Sequence, residues 1–456
     1  MRVGGRFSAW MRGALGASLA LLAAAAVLTG ATAAPPAGGT FEGVASCAGT
    51  TCHGRMEADG AVVRQDELMR WQEPSSPGGA HSRAYAVLSG RRAQQITATL
   101  GLGDAARAPA CLGCHSTPVT GGKGARYLTS DGVSCEACHG PASGWIASHY
   151  AVGASHAGNV ANGMTPLDRP LVRAGVCLDC HYGSARAGQF VTHRMMAAGH
   201  PRISFELDLF STMQQHWDED ADYAGRKGRT DSVATWAAGQ AMALNRAMTL
   251  FASNRGTEGS FPEFTFFDCH SCHRRIYDQA DRSLTFETNP GRPIPFGMPP
   301  FNDENMILLS AAVHAAVPGQ AARFDADVKA FHAGLAGDRT AAVAAARRLA
   351  QTSQSLAGML AGLGGNDLAY RILDSIAGPA SAPRFTDYEG SVQAVMAIDT
   401  LLNALVKQGR ITIGAAAGIR ADINRAYAAV KEPNAYRGAD FRASLASAVR
   451  SIRALR

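Results

Sequence analysis

Every cysteine of this 456-residue chain belongs to a pair whose second member is followed directly by a histidine. Four pairs are spaced Cys-x2-Cys-His and the first is spaced Cys-x4-Cys-His; they are Cys47, Cys52 and His53; Cys111, Cys114 and His115; Cys135, Cys138 and His139; Cys177, Cys180 and His181; and Cys269, Cys272 and His273. Two such thiols add to the vinyl groups of a porphyrin, and the adjacent imidazole then binds the iron. The pattern therefore predicts five covalently bound haem c groups, with the ten cysteines as attachment points and the five histidines as iron ligands.

Zinc sites and disulfides are the two other common uses of paired cysteines. A tetrahedral zinc site of four sulfurs needs no histidine behind each second cysteine, and neither do the disulfides of an exported protein. Because only 14 of the 456 residues are histidine, a histidine after all five pairs favours haem attachment. The first pair is the least regular, since its longer spacer must bulge to bring both thiols to the vinyl groups.

Residues 1–33 have the features of a secretory signal peptide. Three arginines accompany an apolar run from Ala14 to Leu28, and Ala31, Thr32 and Ala33 provide small residues for cleavage. The apolar run is short for a membrane anchor, which is the alternative interpretation. We therefore expect export through a cleaved signal peptide, haem addition outside the cytoplasm, and a periplasmic mature protein.

The charge of the chain argues against a nucleic-acid partner. Removing the three arginines of the signal lowers the formal charge from +6 to +3, and haem propionates would lower it further. The sequence has few clusters of basic residues and no helix-turn-helix or RNA-binding signature. We expect periplasmic or membrane-bound redox proteins as partners, and the sequence leaves the oligomeric state open.

Two regions are expected after the signal peptide. Residues 34–300 contain every cysteine, and five haems within the 227 residues from Cys47 to His273 leave too little chain for a conventional core around each porphyrin. This region should be a loop-rich multihaem cytochrome c domain. A Pro/Gly-rich stretch at 289–300 ends it, and residues 301–456 are Ala-rich with helical periodicity, which predicts a series of helices that includes 339–362 and 411–431. The predicted fold is mostly α, with a helical bundle that could cover haem edges, mediate oligomerisation or dock a partner.

The central question is which residues occupy the second side of each iron. An iron with two imidazoles suits electron transfer, whereas one with an open side can bind a small ligand. Nine histidines lie outside the attachment motifs, which is enough for five second ligands; they are His81, His149, His156, His193, His200, His216, His270, His314 and His332. Methionine is the other possible ligand.

Four of the nine are the preferred second ligands. His81 and His149 each follow an attachment motif by a short loop, and His193 and His200 are seven residues apart, so that on a helix they would face the same way and suit neighbouring haems. The sequence leaves the other five undecided or assigns them elsewhere: His156 and His216 stay open, His270 is expected at the surface, His314 is expected to point inward, and His332 is expected to be structural.

The string Gly132-Val133-Ser134-Cys135-Glu136-Ala137-Cys138-His139-Gly140-Pro141, followed by His149, resembles the multihaem cytochrome c-552/c-554 family. Residues 41–43, Trp71, His81 and Cys111–His115 fit the same series, so the resemblance extends over about residues 41–185 and the first four motifs. It implies a periplasmic electron carrier whose haems mostly have two histidines and stack in close pairs. It also implies that His81 and His149 bind haems other than the nearest in sequence, and that the iron on His115 has an open side.

Two functions from different classes follow. The favoured one is a periplasmic relay that passes electrons between redox partners. The alternative is an enzyme that reduces or oxidises a small nitrogen or sulfur oxide at one five-coordinate haem, with His200 or Arg202 above the iron. The chain is similar in length and motif number to pentahaem nitrite reductases, but those typically carry lysine at one attachment position, whereas all five are histidine here.

Overall fold

The computed structural model describes residues 38–256, 261–273, 299–365, 367–382 and 387–456. These residues form a mostly α-helical fold, which confirms the predicted fold class. Within the described ranges the only strands are Thr40–Phe41 and Gly122–Lys123, which pair in parallel with Thr40 opposite Gly122. The predicted signal peptide and residues 289–298 of the Pro/Gly-rich stretch lie outside the described residues.

Short helices joined by loops and 3-10 turns make up the amino-terminal half of the described chain. They are α1 (Glu67–Gln72), α2 (Arg91–Leu100), α3 (Pro109–His115), α4 (Cys135–His139), α5 (His156–Ala161), α6 (Pro170–His181), α7 (His193–Ala197), α8 (Leu207–Met213) and α9 (Ala221–Lys227). Helices this short have little stability of their own in water. Their positions therefore depend on tertiary contacts with the rest of the chain.

Most helices in the rest of the described chain are longer. The helices of this part are α10 (Ser232–Phe251), α12 (Glu304–Ala316), α13 (Ala321–Ala336), α14 (Arg339–Ala361), α15 (Leu368–Ala380), α16 (Tyr388–Lys407), α17 (Ile413–Gly418), α18 (Arg420–Ala429) and α19 (Gly438–Arg453), with the single turn α11 (Cys269–Cys272) between the first two. Asp231, Asp338 and Asp387 each precede a helix and accept a hydrogen bond from the backbone N–H three residues later, which fixes where α10, α14 and α16 begin. No helix within the described residues combines the length and apolarity needed to cross a bilayer.

One hydrophobic core joins α10 to the carboxyl-terminal helices and to α6. Trp236 on α10, Phe331 on α13, Phe441 on α19 and Leu178 on α6 are fully buried in it. The main partner of α10 is α14, and α10 also packs against α6, α8 and α12. The core thus continues across residue 300, and a domain boundary at that point stays a prediction.

Gly239 allows α8 to approach α10 closely. A Cβ at Gly239 would lie 2.6 Å from the Cβ of Leu207, whereas a Cβ at Gly358 on the exposed side of α14 meets no atom within 4 Å. We expect Gly239→Ala to lower the free energy of unfolding by about 1–3 kcal/mol through overpacking. The control Gly358→Ala should raise it by about 0.5–1 kcal/mol, because alanine favours a helix. Denaturant titration followed by far-ultraviolet circular dichroism measures both, and equal stabilities would contradict this packing.

Candidate haem sites

Four of the five attachment motifs lie on a helical turn. In Cys-x2-Cys-His the second cysteine and the histidine follow the first cysteine by three and four residues, so in a helix all three side chains face one way. The helices α3 and α6 end at His115 and His181, α4 runs from Cys135 to His139, and α11 begins at Cys269. All ten cysteines lie in the described ranges, and none of them forms a disulfide. Each helical motif thus presents two thiols and one imidazole together, as attachment of a single porphyrin requires.

The first motif reaches an equivalent backbone arrangement without a helix. The N–H of His53 donates to the carbonyl of Cys47 at 3.3 Å, just as the N–H of His273 donates to the carbonyl of Cys269 at 2.8 Å in the fifth motif. Within the loop, the N–H of Cys52 donates to the carbonyl of Gly49 at 2.8 Å. The two extra residues are therefore looped out, and the backbone bond between the first cysteine and the histidine is kept.

Each attachment histidine faces one further histidine, and no histidine is used twice. The distances between ring centroids are 6.2 Å for His53 and His149, 6.3 Å for His115 and His200, 6.2 Å for His139 and His216, 6.2 Å for His181 and His81, and 6.1 Å for His273 and His193. Metal–imidazole bonds are about 2 Å long and the ring centre lies roughly 1 Å behind the bound nitrogen, so two imidazoles on opposite sides of one metal have centroids about 6 Å apart. The five pairs have this separation. The residues present therefore fit a haem iron between two imidazoles at every motif.

Hydrogen bonds at Nδ1 leave Nε2 of several of these rings available to a metal. The acceptors are backbone carbonyl oxygens for four rings: Ala84 at 2.7 Å from His115, Ile146 at 2.6 Å from His149, Pro201 at 2.8 Å from His200 and Gln214 at 2.8 Å from His216. His53 differs, because its Nδ1 lies 3.0 Å from the carboxylate Oε2 of Glu67. Such acceptors fix the tautomer and the orientation of a metal-binding ring.

Burial keeps two of the attachment imidazoles neutral. It lowers the pKa of His139 to about 3, with a further contribution from the nearby His216. In the same way burial lowers the pKa of His181 to about 4, with a further contribution from His81. Both rings are unprotonated at neutral pH and can present a lone pair to a metal.

The remaining four histidines have other partners. His156 lies 2.8 Å from Asp168, His314 lies 2.9 Å from Asp325, His332 lies 3.5 Å from Asp303, and Nδ1 of His270 lies 2.9 Å from the carbonyl oxygen of Pro433. The nine histidines outside the motifs thus divide into five that face an attachment histidine and four that do not.

Two expectations about these four were wrong. His270, expected at the surface, is only 8% exposed, because Tyr436 and Tyr388 pack against its ring with centroids 5.0 and 6.3 Å away. His314, expected to point inward, has a side chain that is 49% exposed. It follows the buried residues Ala311–Val313 on α12 and turns outward to the carboxylate of Asp325 on α13.

Each of the four predicted second ligands faces an attachment histidine. His193 and His200, however, do not lie on one helix, as the sequence analysis considered. The helix α7 ends at Ala197, and Gly199 adopts a φ of 115° that turns the chain. The two histidines therefore face different motifs, the fifth and the second. His81 and His149 face the fourth and first motifs, so neither faces the motif nearest to it in sequence.

His216 is the paired residue that the sequence interpretation left undecided. It lies between α8 and α9 and faces His139, a residue far from it in the chain. The signal that could have indicated it is numerical: five attachment histidines and four assigned second ligands leave one vacancy if every iron has two imidazoles.

Thiols of different motifs meet at two places. Cys47 lies within hydrogen-bonding reach of Cys135, and Cys114 lies within reach of Cys180. The Sγ of Cys114 is 4.0 Å from the carbonyl oxygen of Cys180, and the Sγ of Cys180 is 3.9 Å from the carbonyl oxygen of Gly113. The first motif therefore adjoins the third, and the second adjoins the fourth. Packing of α4 against α6 places the third beside the fourth.

A protein-family model described as cytochrome c554 and c-prime matches residues 46–140, a range that contains the first three motifs. No curated protein and no solved structure matches the chain. The match confirms the resemblance predicted from the Cys135–His139 string over residues 46–140, well under half of the chain; His149 and the fourth motif, to which the predicted resemblance also extended, lie beyond the matched range. It implies covalently bound haem c and hence iron. The chain is accordingly a c-type cytochrome with a role in electron transfer, similar over residues 46–140 to the cytochrome c554 and c-prime family.

Proposed function

We propose that this protein carries five covalently bound haem c groups, each ligated by two histidines, and relays electrons between periplasmic or membrane-bound redox partners. The observation that carries the proposal is the pairing of all five attachment histidines with five different histidines at 6.1–6.3 Å. A haem iron held between two such imidazoles would supply one-electron chemistry and would have no open side for a substrate. The second ligands are His149, His200, His216, His81 and His193 for the first to the fifth motif.

Contacts between the motifs support a linear order of sites. The thiol of Cys47 meets Cys135, α4 packs against α6, and the thiol of Cys180 meets that of Cys114. The segment from His193 to His200 then joins the fifth motif to the second, since its two histidines face these two motifs. These contacts support the order first, third, fourth, second, fifth for the sites. We infer that electrons travel along this order.

The two ends of this order are where partners are expected to exchange electrons. Cys52 of the first motif and Cys272 of the fifth are exposed, whereas the other eight cysteines are partly covered. Electron transfer between proteins requires a short distance from the haem edge to the surface, so the terminal sites are the favourable ones. A periplasmic location is supported by the signal-like features of residues 1–33 and by the need for haem attachment outside the cytoplasm.

The enzymatic alternative requires an iron with an open side. The resemblance places that opening on the iron of His115, but the ring of His200 lies 6.3 Å from the ring of His115. Arg202, the other residue considered above an open iron, is directed instead to the buried carboxylate of Glu389, with Nε 3.3 Å from Oε1. These contacts favour the relay over a reductase or oxidase.

Removing a second ligand should open one iron. In His200→Ala we expect a high-spin ferric signal from about one haem in five in the electron paramagnetic resonance spectrum, and binding of cyanide or nitric oxide there. The matched control is His156→Ala, which removes a histidine that contacts Asp168 rather than an attachment histidine; it should keep only low-spin signals. Identical low-spin spectra for both variants would contradict the assignment of His200.

The irregular first motif should be loaded like the others. The intact mass of the purified exported protein, measured under denaturing conditions, should correspond to five haem additions. The double variant Cys47→Ser with Cys52→Ser should lose one addition, because no thiol then remains in the motif to form a thioether with the porphyrin. An unaltered number of haems in this variant would show that the first motif is not an attachment site.

A further inference from the structure

Glu67 gives the attachment histidine of the first site a carboxylate as its Nδ1 partner. Its Oε2 lies 3.0 Å from Nδ1 of His53, and its side chain is only 16% exposed. The backbone places it there, since the N–H of Leu68 donates to the carbonyl of His53 at 3.0 Å and so holds the start of α1 against the motif. By contrast, Nδ1 of His115 faces a backbone carbonyl oxygen, that of Ala84.

A carboxylate and a carbonyl act differently on a metal-bound imidazole. Both orient the ring, but an anionic acceptor for the Nδ1 hydrogen increases the basicity of the ring and its electron donation through Nε2. Stronger donation and nearby negative charge favour the ferric over the ferrous iron. The difference should appear in the reduction potential.

We propose that Glu67 is a positioning residue that lowers the reduction potential of the haem on His53. The proposal rests on the proposed function, because it requires a loaded first site. It places a haem whose attachment imidazole has a carboxylate partner at one end of the relay, beside the exposed Cys52.

The test is Glu67→Gln in the complete exported protein, followed by spectroelectrochemical titration. Glutamine keeps the size and an oxygen acceptor but removes the charge, so one of five redox components should move to higher potential while four stay in place. The control is Glu73→Gln, which alters an exposed carboxylate that bonds only locally to Ser75. If Glu67→Gln folds poorly, Glu67→Asp withdraws the carboxylate from Nδ1 and should move the same component upward by less.

The outcomes separate this inference from the function on which it rests. Five haems by mass with an unchanged titration, or with an equal shift of all components, would overturn the role of Glu67 alone. A first motif that carries no haem in the unaltered protein would overturn both the role of Glu67 and the five-haem relay.

A different set of contacts concerns the carboxyl-terminal helices. Asp268 precedes the fifth motif, and its Oδ1 accepts from the N–H of Ser271 at 3.0 Å in α11. Its Oδ2 accepts from the N–H groups of Tyr388 and Glu389 at 3.1 and 3.3 Å. One buried carboxylate therefore bonds the first turns of both the attachment helix α11 and the bundle helix α16.

Two further contacts hold the same motif to the bundle. His270, inside the attachment loop, lies with Nδ1 2.9 Å from the carbonyl oxygen of Pro433 and packs on Tyr436. Arg202, two residues after His200, approaches the Sγ of Cys269 at 3.5 Å and the Oε1 of Glu389 at 3.3 Å. The carboxyl-terminal helices thus contact the fifth motif through backbone, ring and charged groups.

We propose that the carboxyl-terminal helices complete the fifth haem site, with Asp268 as the residue that positions the attachment turn. This also rests on the proposed function. It gives the bundle a role in shaping a haem site, in place of a role limited to oligomerisation or docking.

Asp268→Ala and Asp387→Ala form a matched pair, because both remove a carboxylate that accepts hydrogen bonds from the first turn of α16. Both should lower the melting temperature. Only Asp268→Ala should alter the low-spin resonance and the potential of one haem, or remove that haem from the intact mass. Asp268→Asn, which keeps an oxygen acceptor, should restore the fifth haem if the alanine variant folds poorly.

Unchanged resonance and titration in Asp268→Ala with five haems present would overturn this proposal and leave the relay intact. An equal disturbance of the same haem in Asp387→Ala would also overturn it, since general loosening of α16 would then explain the effect. A fifth motif without haem in the unaltered protein would overturn the relay as well.

Discussion

The arrangement of this protein depends on placing a second imidazole opposite each attachment imidazole, at a separation of 6.1–6.3 Å. An iron with a second imidazole opposite the first passes electrons, whereas an iron without one can also bind a small ligand. Local sequence supplies the first imidazole, because it belongs to the residue directly after the second thiol. The second comes from elsewhere in the chain at every site. The loops between the short helices α1–α9 bring these distant segments together.

The same loops set the order of the sites. Because His193 and His200 lie on one short segment and face different motifs, that segment joins the fifth site to the second. The fifth motif is then held by residues of the carboxyl-terminal helices, notably through Asp268 and His270. A hydrophobic core that runs from α6 through α10 into those helices makes the bundle part of the same unit. The helices beyond residue 300 therefore pack with the haem-motif region in one core and contact the fifth motif.

Features that depend on neighbouring residues could be predicted from the sequence. The attachment motifs are local, and the helix expected at 339–362 is observed at Arg339–Ala361, since its alanines and its Asp338 cap favour a helix wherever it packs. The helix expected at 411–431 is instead divided into Ile413–Gly418 and Arg420–Ala429. The break falls at Gly418 and Ile419, because glycine disfavours a continuous helix. Features that depend on distant residues could not be predicted. Nothing local marks His216 as the residue facing His139, and His270 is buried by tyrosines more than a hundred positions later in the chain.

If every iron has two histidine ligands, electron paramagnetic resonance of the fully oxidised protein should detect low-spin iron alone. Integration of the spectrum against total iron should account for all five haems as low-spin ferric species, with no change on addition of cyanide, nitric oxide or hydroxylamine. A high-spin ferric component of about one haem in five that is lost when such a ligand binds would show that one iron has an open side, and would favour a catalytic site over a relay.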